Sequence, residues 1–181
     1  MKNKNRSQFR KYISNEGGFR ACFIDATEAV GKMQSLQNSY PLASMAVGRT
    51  MIGVALMSVM LDDEEGRLSA HFRGDGPLGT VFGEANHKGQ VRGYCAQPQL
   101  QMPYVPGKPL SISKAMGHGS LTVVRTSNTL AEPQQGVVQI QSGEIAEDLV
   151  YFLSASYQIP ALLNLGVSVN EYGKVVGAAG L

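Results

Sequence analysis

The sequence predicts an α+β fold: a mainly antiparallel sheet packed with helices, one of them long, apolar and buried over residues 42–61. Three observations carry that prediction. Apolar spacing changes in blocks, from helical to strand period, without regular βαβ alternation. One stretch, Pro41–Leu61, has Arg49 as its only charge. The 181 residues are also 43% hydrophobic, enough for a real core and too much for a disordered chain.

Phe19–Ile24 predicts a strand after the Gly17-Gly18 turn. Asp25 can cap a helix, with Glu28 three residues on completing a capping box. Val30, Met33, Leu36 and Tyr40 then fall on one helical stripe, and Pro41 marks the break. The apolar helix follows from Leu42. The run Asp62-Asp63-Glu64-Glu65-Gly66 ends it, because carboxylates at a helix C-terminus oppose its dipole. Next the period becomes two, with Leu68, Ala70 and Phe72 alternating with Arg67, Ser69, His71 and Arg73. Gly74-Asp75-Gly76-Pro77 signals a turn. Thr80–Ala85 and Gln90–Ala96 predict two more strands. Four prolines within 97–109 predict an irregular loop. Leu121–Arg125 and Val137–Gln141 predict a hairpin connected through 126–135. Ser142 is placed to cap a helix whose first turns hold Glu144, Glu147 and Asp148. Ile145, Leu149, Phe152 and Leu153 form its apolar face, and Pro160 stops it. Leu163, Leu165, Val167 and Val169 alternate, and Tyr172-Gly173 turns the chain into a last strand at Lys174–Val176.

The net charge of +2 is unevenly placed. Residues 1–20 hold six basic side chains and one acid, whereas 21–181 hold ten basic and thirteen acidic ones. We therefore expect a basic tail over 1–8 and a single domain over 9–181, with a mildly acidic body. A nucleic-acid binder would spread Lys and Arg over a folded face, so no nucleic-acid partner is expected. The start of the chain has no unbroken apolar stretch of the secretory kind. Pro41–Leu61 is long enough to span a bilayer, but an Arg near its middle is costly in lipid, and a buried core helix fits better. No membrane partner and a cytoplasmic location are expected. Cys22 and Cys95 cannot build a disulfide scaffold or a four-thiolate zinc site, and read as reduced thiols.

Chemistry is sparse. There is no Gly-x-Ser-x-Gly elbow, no Walker A loop and no Gly-x-Gly-x-x-Gly. His71, His87 and His118 lack the spacing of a helical zinc pair, and no metal site is expected. Gly117-His118-Gly119-Ser120 precedes a strand, whereas phosphate cradles open a helix. Asp75 fits an Asx-type turn. Arg92 fits an ion pair with a nearby carboxylate, and Glu144, Glu147 and Asp148 fit a solvated helix start. His71 is expected on the polar face of its strand.

Several strings in fixed order are more specific than any one alone. They are Gly74-Asp75-Gly76-Pro77-Leu78-Gly79, Val91-Arg92-Gly93-Tyr94, Gly117-His118-Gly119-Ser120-Leu121-Thr122-Val123 and Ser142 through Leu149. Tyr151-Phe152, Ser156 through Pro160 and Leu165-Gly166-Val167 follow. Together with Gly48-Arg49 and the apolar helix, from about Phe9 to Leu181, they resemble the N-terminal domain of the 33 kDa chaperonin family, redox-regulated bacterial heat-shock holdases.

The resemblance implies an ATP-independent holdase core, not an enzyme, whose partners are unfolding client proteins and a second copy in a domain-exchanged homodimer. It also implies that zinc belongs to a C-terminal module with a Cys-x-Cys and a Cys-x-x-Cys, expected beyond Leu181. No residue here matches those ligands, so no cofactor is expected in this chain, and Cys22 and Cys95 are not given the switch role. The residues matching the family strings are Gly74, Asp75, Gly76, Pro77, Arg92, Gly93, Gly117, Gly119 and Glu144. Methionine suits promiscuous surfaces, which makes Met45, Met51, Met57 and Met60 candidates for client binding; the competing reading is that they fill the core. Two further readings stand beside the holdase. One is a dimerisation domain inactive alone. The other is an enzyme using Asp75, Arg92 and the Gly117–Gly119 loop on an anionic substrate.

Overall fold

A computed structural model describes residues 8–15, 17–61, 63–103, 110–128 and 130–181. The basic tail over 1–7, Asp62 and the second half of the proline-rich loop (104–109) lie outside the described residues. Alternating apolar residues build two antiparallel sheets. One has four strands in the order β1 (Gln8–Ile13), β2 (Arg20–Asp25), β9 (Val175–Gly180), β8 (Leu165–Val169). The other has five, in the order β5 (Val91–Cys95), β4 (Thr80–Asn86), β3 (Arg67–Gly74), β6 (Gly119–Thr126), β7 (Gln134–Gln139). The described part of the loop, 97–103, has no helix or strand.

The apolar helix α2 (Pro41–Met57) lies between the sheets and is prolonged by one 3-10 turn, Ser58–Met60. Pro41 sits in its first turn, where a missing N–H costs nothing. It packs against β3, β4 and β5 of one sheet and β2, β8 and β9 of the other. Fourteen of its seventeen residues are buried, which explains why no polar stripe is visible in its sequence. Pro41–Met60 is long and apolar enough to cross a membrane, but 83% of its apolar window is buried inside this domain.

Helix α1 (Thr27–Gln37) lies on β9, and α4 (Ala146–Tyr157) on β7. Short helix α3 (Ile112–Met116) packs on β3. Val30, Met33, Phe72, Leu121, Leu149 and Phe152 join α2 in one core.

Local expectations are corrected at several points. The sequence pattern signals neither strand β1 nor helix α3, and Gln8, expected in the tail, opens β1. Asp25 does not close a capping box with Glu28. Helix α1 begins at Thr27, with Ala26 in the cap position, and Asp25 Oδ1 accepts from Thr27 N and Oγ at 3.0 and 2.7 Å. Leu36 is 76% exposed, and Gln34 is buried instead. Gln34 Oε1 accepts from Val175 N at 2.9 Å, and its Nε2 donates to the Gly173 carbonyl at 2.7 Å. The backbone entering β9 needs polar partners that a leucine cannot supply.

Candidate functional site

The two glycine-rich strings meet. At the end of β3 the chain turns through Gly74–Gly76, and the α3–β6 connection brings Gly117–Gly119 against it. Asp75 N donates to the His118 carbonyl (2.8 Å), Gly76 N to Met116 (2.9 Å) and Leu78 N to Ala115 (3.0 Å). Asp75 Oδ1 accepts from His118 N at 2.7 Å. The contact is too close for side chains: a Cβ on Gly74 or Gly76 would overlap the carbonyls of Met116 and Ala115, and one on Gly119 that of Arg73. Gly117, at φ +71°, occupies backbone space that favours glycine. Pro77 is exposed on the turn, and Leu78 beyond it is buried in the core.

This corrects the Asx-turn reading of Asp75. Its carboxylate bonds across to another loop rather than two residues along its own. It also removes the cradle on which an anionic-substrate enzyme would depend. The amides of Asp75, Gly76, Leu78, Gly117 and His118 all donate within the protein. Arg92 is not nearby. It pairs with Glu84 (Nη2–Oε1 2.9 Å, Nε–Oε1 3.0 Å), the ion pair its sequence suggested. In register that pair sits beside Ser69, five residues along β3 from Gly74, about 17 Å away.

Glu144 forms a second junction. Its Oε2 accepts from Arg49 Nη1 at 2.9 Å, and its Oε1 from Ser113 N at 3.3 Å. It thereby links the middle of α2 to the start of α3. Next to it Ile145 adopts φ +71°, ψ −58°, with Ala146 N donating to the Glu144 carbonyl at 2.9 Å, a strained γ-turn. Asp148 holds this turn. Fully buried, it accepts from Gln141 N (2.7 Å), Ser142 N (2.8 Å), Ser142 Oγ (3.3 Å) and Ile145 N (3.3 Å). Of the three acids read as a solvated helix start, only Glu147 is exposed. Ser142 lies before the cap position and works through Asp148. The lone Arg49 in an apolar helix was the available signal, since a semi-buried guanidinium needs a carboxylate.

Gly93 lets β5 approach α2; a Cβ there would lie 2.7 Å from Met51 Cγ and 3.0 Å from Val47 Cγ1. Met51 and Met57 are buried in the core, which closes them to a client in this conformation, and Met45 and Met60 are half-buried against it. Exposed apolar side chains lie elsewhere. Phe9, Tyr12, Ile13, Phe19 and Phe23 gather on the β1–β2 hairpin, and Tyr94 stands on the uncovered face of the five-stranded sheet. There Tyr94 stacks on Phe82 (5.0 Å), which meets His71 (4.7 Å). Burial, then the Arg73 charge, lowers the His71 pKa. The polar-face placement of His71 holds, with Nε2 3.3 Å from Ser69 Oγ.

Both cysteines are free thiols. Burial raises the pKa of half-buried Cys22 and pushes that of buried Cys95 up to about 11. They sit in different sheets, and no cluster of three or more His, Cys, Asp or Glu suited to a metal occurs among the described residues.

Comparison with known proteins places these observations. The profile of the Hsp33 protein family matches residues 7–181. The chain is 40% identical over 169 residues to the 33 kDa chaperonin of Desulforamulus reducens, covering 93% of this chain and 57% of that protein. It is 39% identical to that of Ruminiclostridium cellulolyticum over 91% of this chain and 56% of the relative. The crystal structure of the Thermotoga maritima 33 kDa chaperonin superposes with a TM-score of 0.85 at 31% identity, over 95% of this chain and 59% of that one. The chain thus spans somewhat more than half the length of the relatives it matches.

Proposed function

The chain belongs to the Hsp33 family, and on that premise we propose that it is an ATP-independent holdase core that binds unfolding proteins and keeps them from aggregating. The observation that carries this reading is the match over residues 7–181 to proteins named as chaperonins. The surface supports it. Client proteins share apolarity rather than sequence, so a holdase needs accessible apolar area rather than a shaped catalytic pocket. Large exposed apolar side chains cluster on the β1–β2 hairpin, whereas the glycine loops that resembled an anion cradle spend their amides on each other. The family strings around Gly74, Gly117, Gly93 and Glu144 then serve the scaffold, joining sheet, α2 and α3.

In this reading the redox switch does not reside in Cys22 or Cys95. Raised thiol pKa values disfavour the thiolate that oxidation requires. The same reading carries a cytoplasmic location and a homodimer; sedimentation of the protein at micromolar concentration tests the homodimer.

The function is tested by light scattering of heat-unfolded malate dehydrogenase. Protection is expected at near-stoichiometric ratios, unchanged by ATP and by oxidant. A folded chain that gives no protection at several-fold excess would sink the holdase reading and favour a purely structural dimerisation domain.

A further inference from the structure

We draw no further inference here: the strongest candidate, the row of Tyr94, Phe82 and His71 rings on the uncovered face of the five-stranded sheet, carries nothing, because Arg67 and Arg92 on that face are both paired with Glu84 and nothing in the structure shows what covers it.

Discussion

Asp148 shows how one carboxylate can organise a segment. It accepts four hydrogen bonds from residues 141–145, three of them from main-chain N–H groups. It thus holds Ile145 in a conformation that a β-branched residue avoids. Removing the carboxylate leaves those donors unpaired in a buried place, at a cost of about 1–3 kcal/mol for each unsatisfied group. Asp148→Ala is therefore expected to lose about 3 kcal/mol or more and to lower Tm by about 10 °C in calorimetry. A variant melting within a degree or two of the parent would show that the donors find other partners. Glu144 differs. Its pair with Arg49 is partly open to solvent, with side-chain exposures of 22% and 36%, and such pairs contribute less. Nothing in the residue string Ser-Gly-Glu-Ile-Ala-Glu-Asp distinguishes these acids, because what separates them is which one the γ-turn points inward.

At the scale of elements, α2 decides the architecture. Wrapped by strands on two sides, it requires close approach, and glycines on it and on its neighbours provide the room. Gly93 is one, with Met51 and Val47 packed over it. Gly93→Ala is expected to cost about 1–3 kcal/mol through overpacking. Gly31, on α1, has no atom within 4 Å of where a Cβ would stand. Gly31→Ala is accordingly expected to stabilise by about 0.5–1 kcal/mol, since alanine favours a helix interior. Urea denaturation of the two variants checks the pair; a Gly93→Ala variant as stable as the parent would mean that packing around α2 is looser than the geometry indicates, and a destabilised Gly31→Ala that its site on α1 is not open.

For the whole molecule, pH dependence follows from groups whose pKa values move on folding. Burial and the Arg73 charge lower His71 below its ordinary 6.5. Hydrogen bonds lower Asp25 and Asp63 below 3.8, chiefly from Thr27 N and Glu65 N respectively. In each case the unfolded chain binds more protons as pH falls past the ordinary value. The stability these groups contribute is therefore present above the ordinary value and lost as pH falls through the folded one. For His71 the loss begins near pH 6.5, and for the two aspartates near pH 4. Cys95 acts at the alkaline end, raised from 9.0 to about 11 by burial, so its contribution fades as pH rises between those values. Thermal melts from pH 3 to 11 should show a stability plateau between about pH 6.5 and 9. Stability that climbed on acidification from pH 6.5 to 5 would contradict the assignment for His71.

The sequence by itself determined the α+β class, the buried helix, the positions of most strands and the family strings, because each rests on local signals: period, turn residues and a charge-poor run. Leu68, Ala70 and Phe72 could be placed inward from alternation alone, and the structure buries all three. Only the tertiary structure decided what the polar and glycine residues do. The Gly74–Gly76 turn was visible, but that it interlocks with Gly117–Gly119, 43 residues from Asp75 to His118, was not. Met51 could equally have faced a client or the core until two sheets closed around α2. The basic start looked like a tail up to residue 8, yet Gln8 opens a strand whose aromatic neighbours stand exposed. Local patterns record which face is apolar. Partners distant in sequence, and the strand edges left open, arise only when elements meet, because register and close packing are properties of the assembled chain.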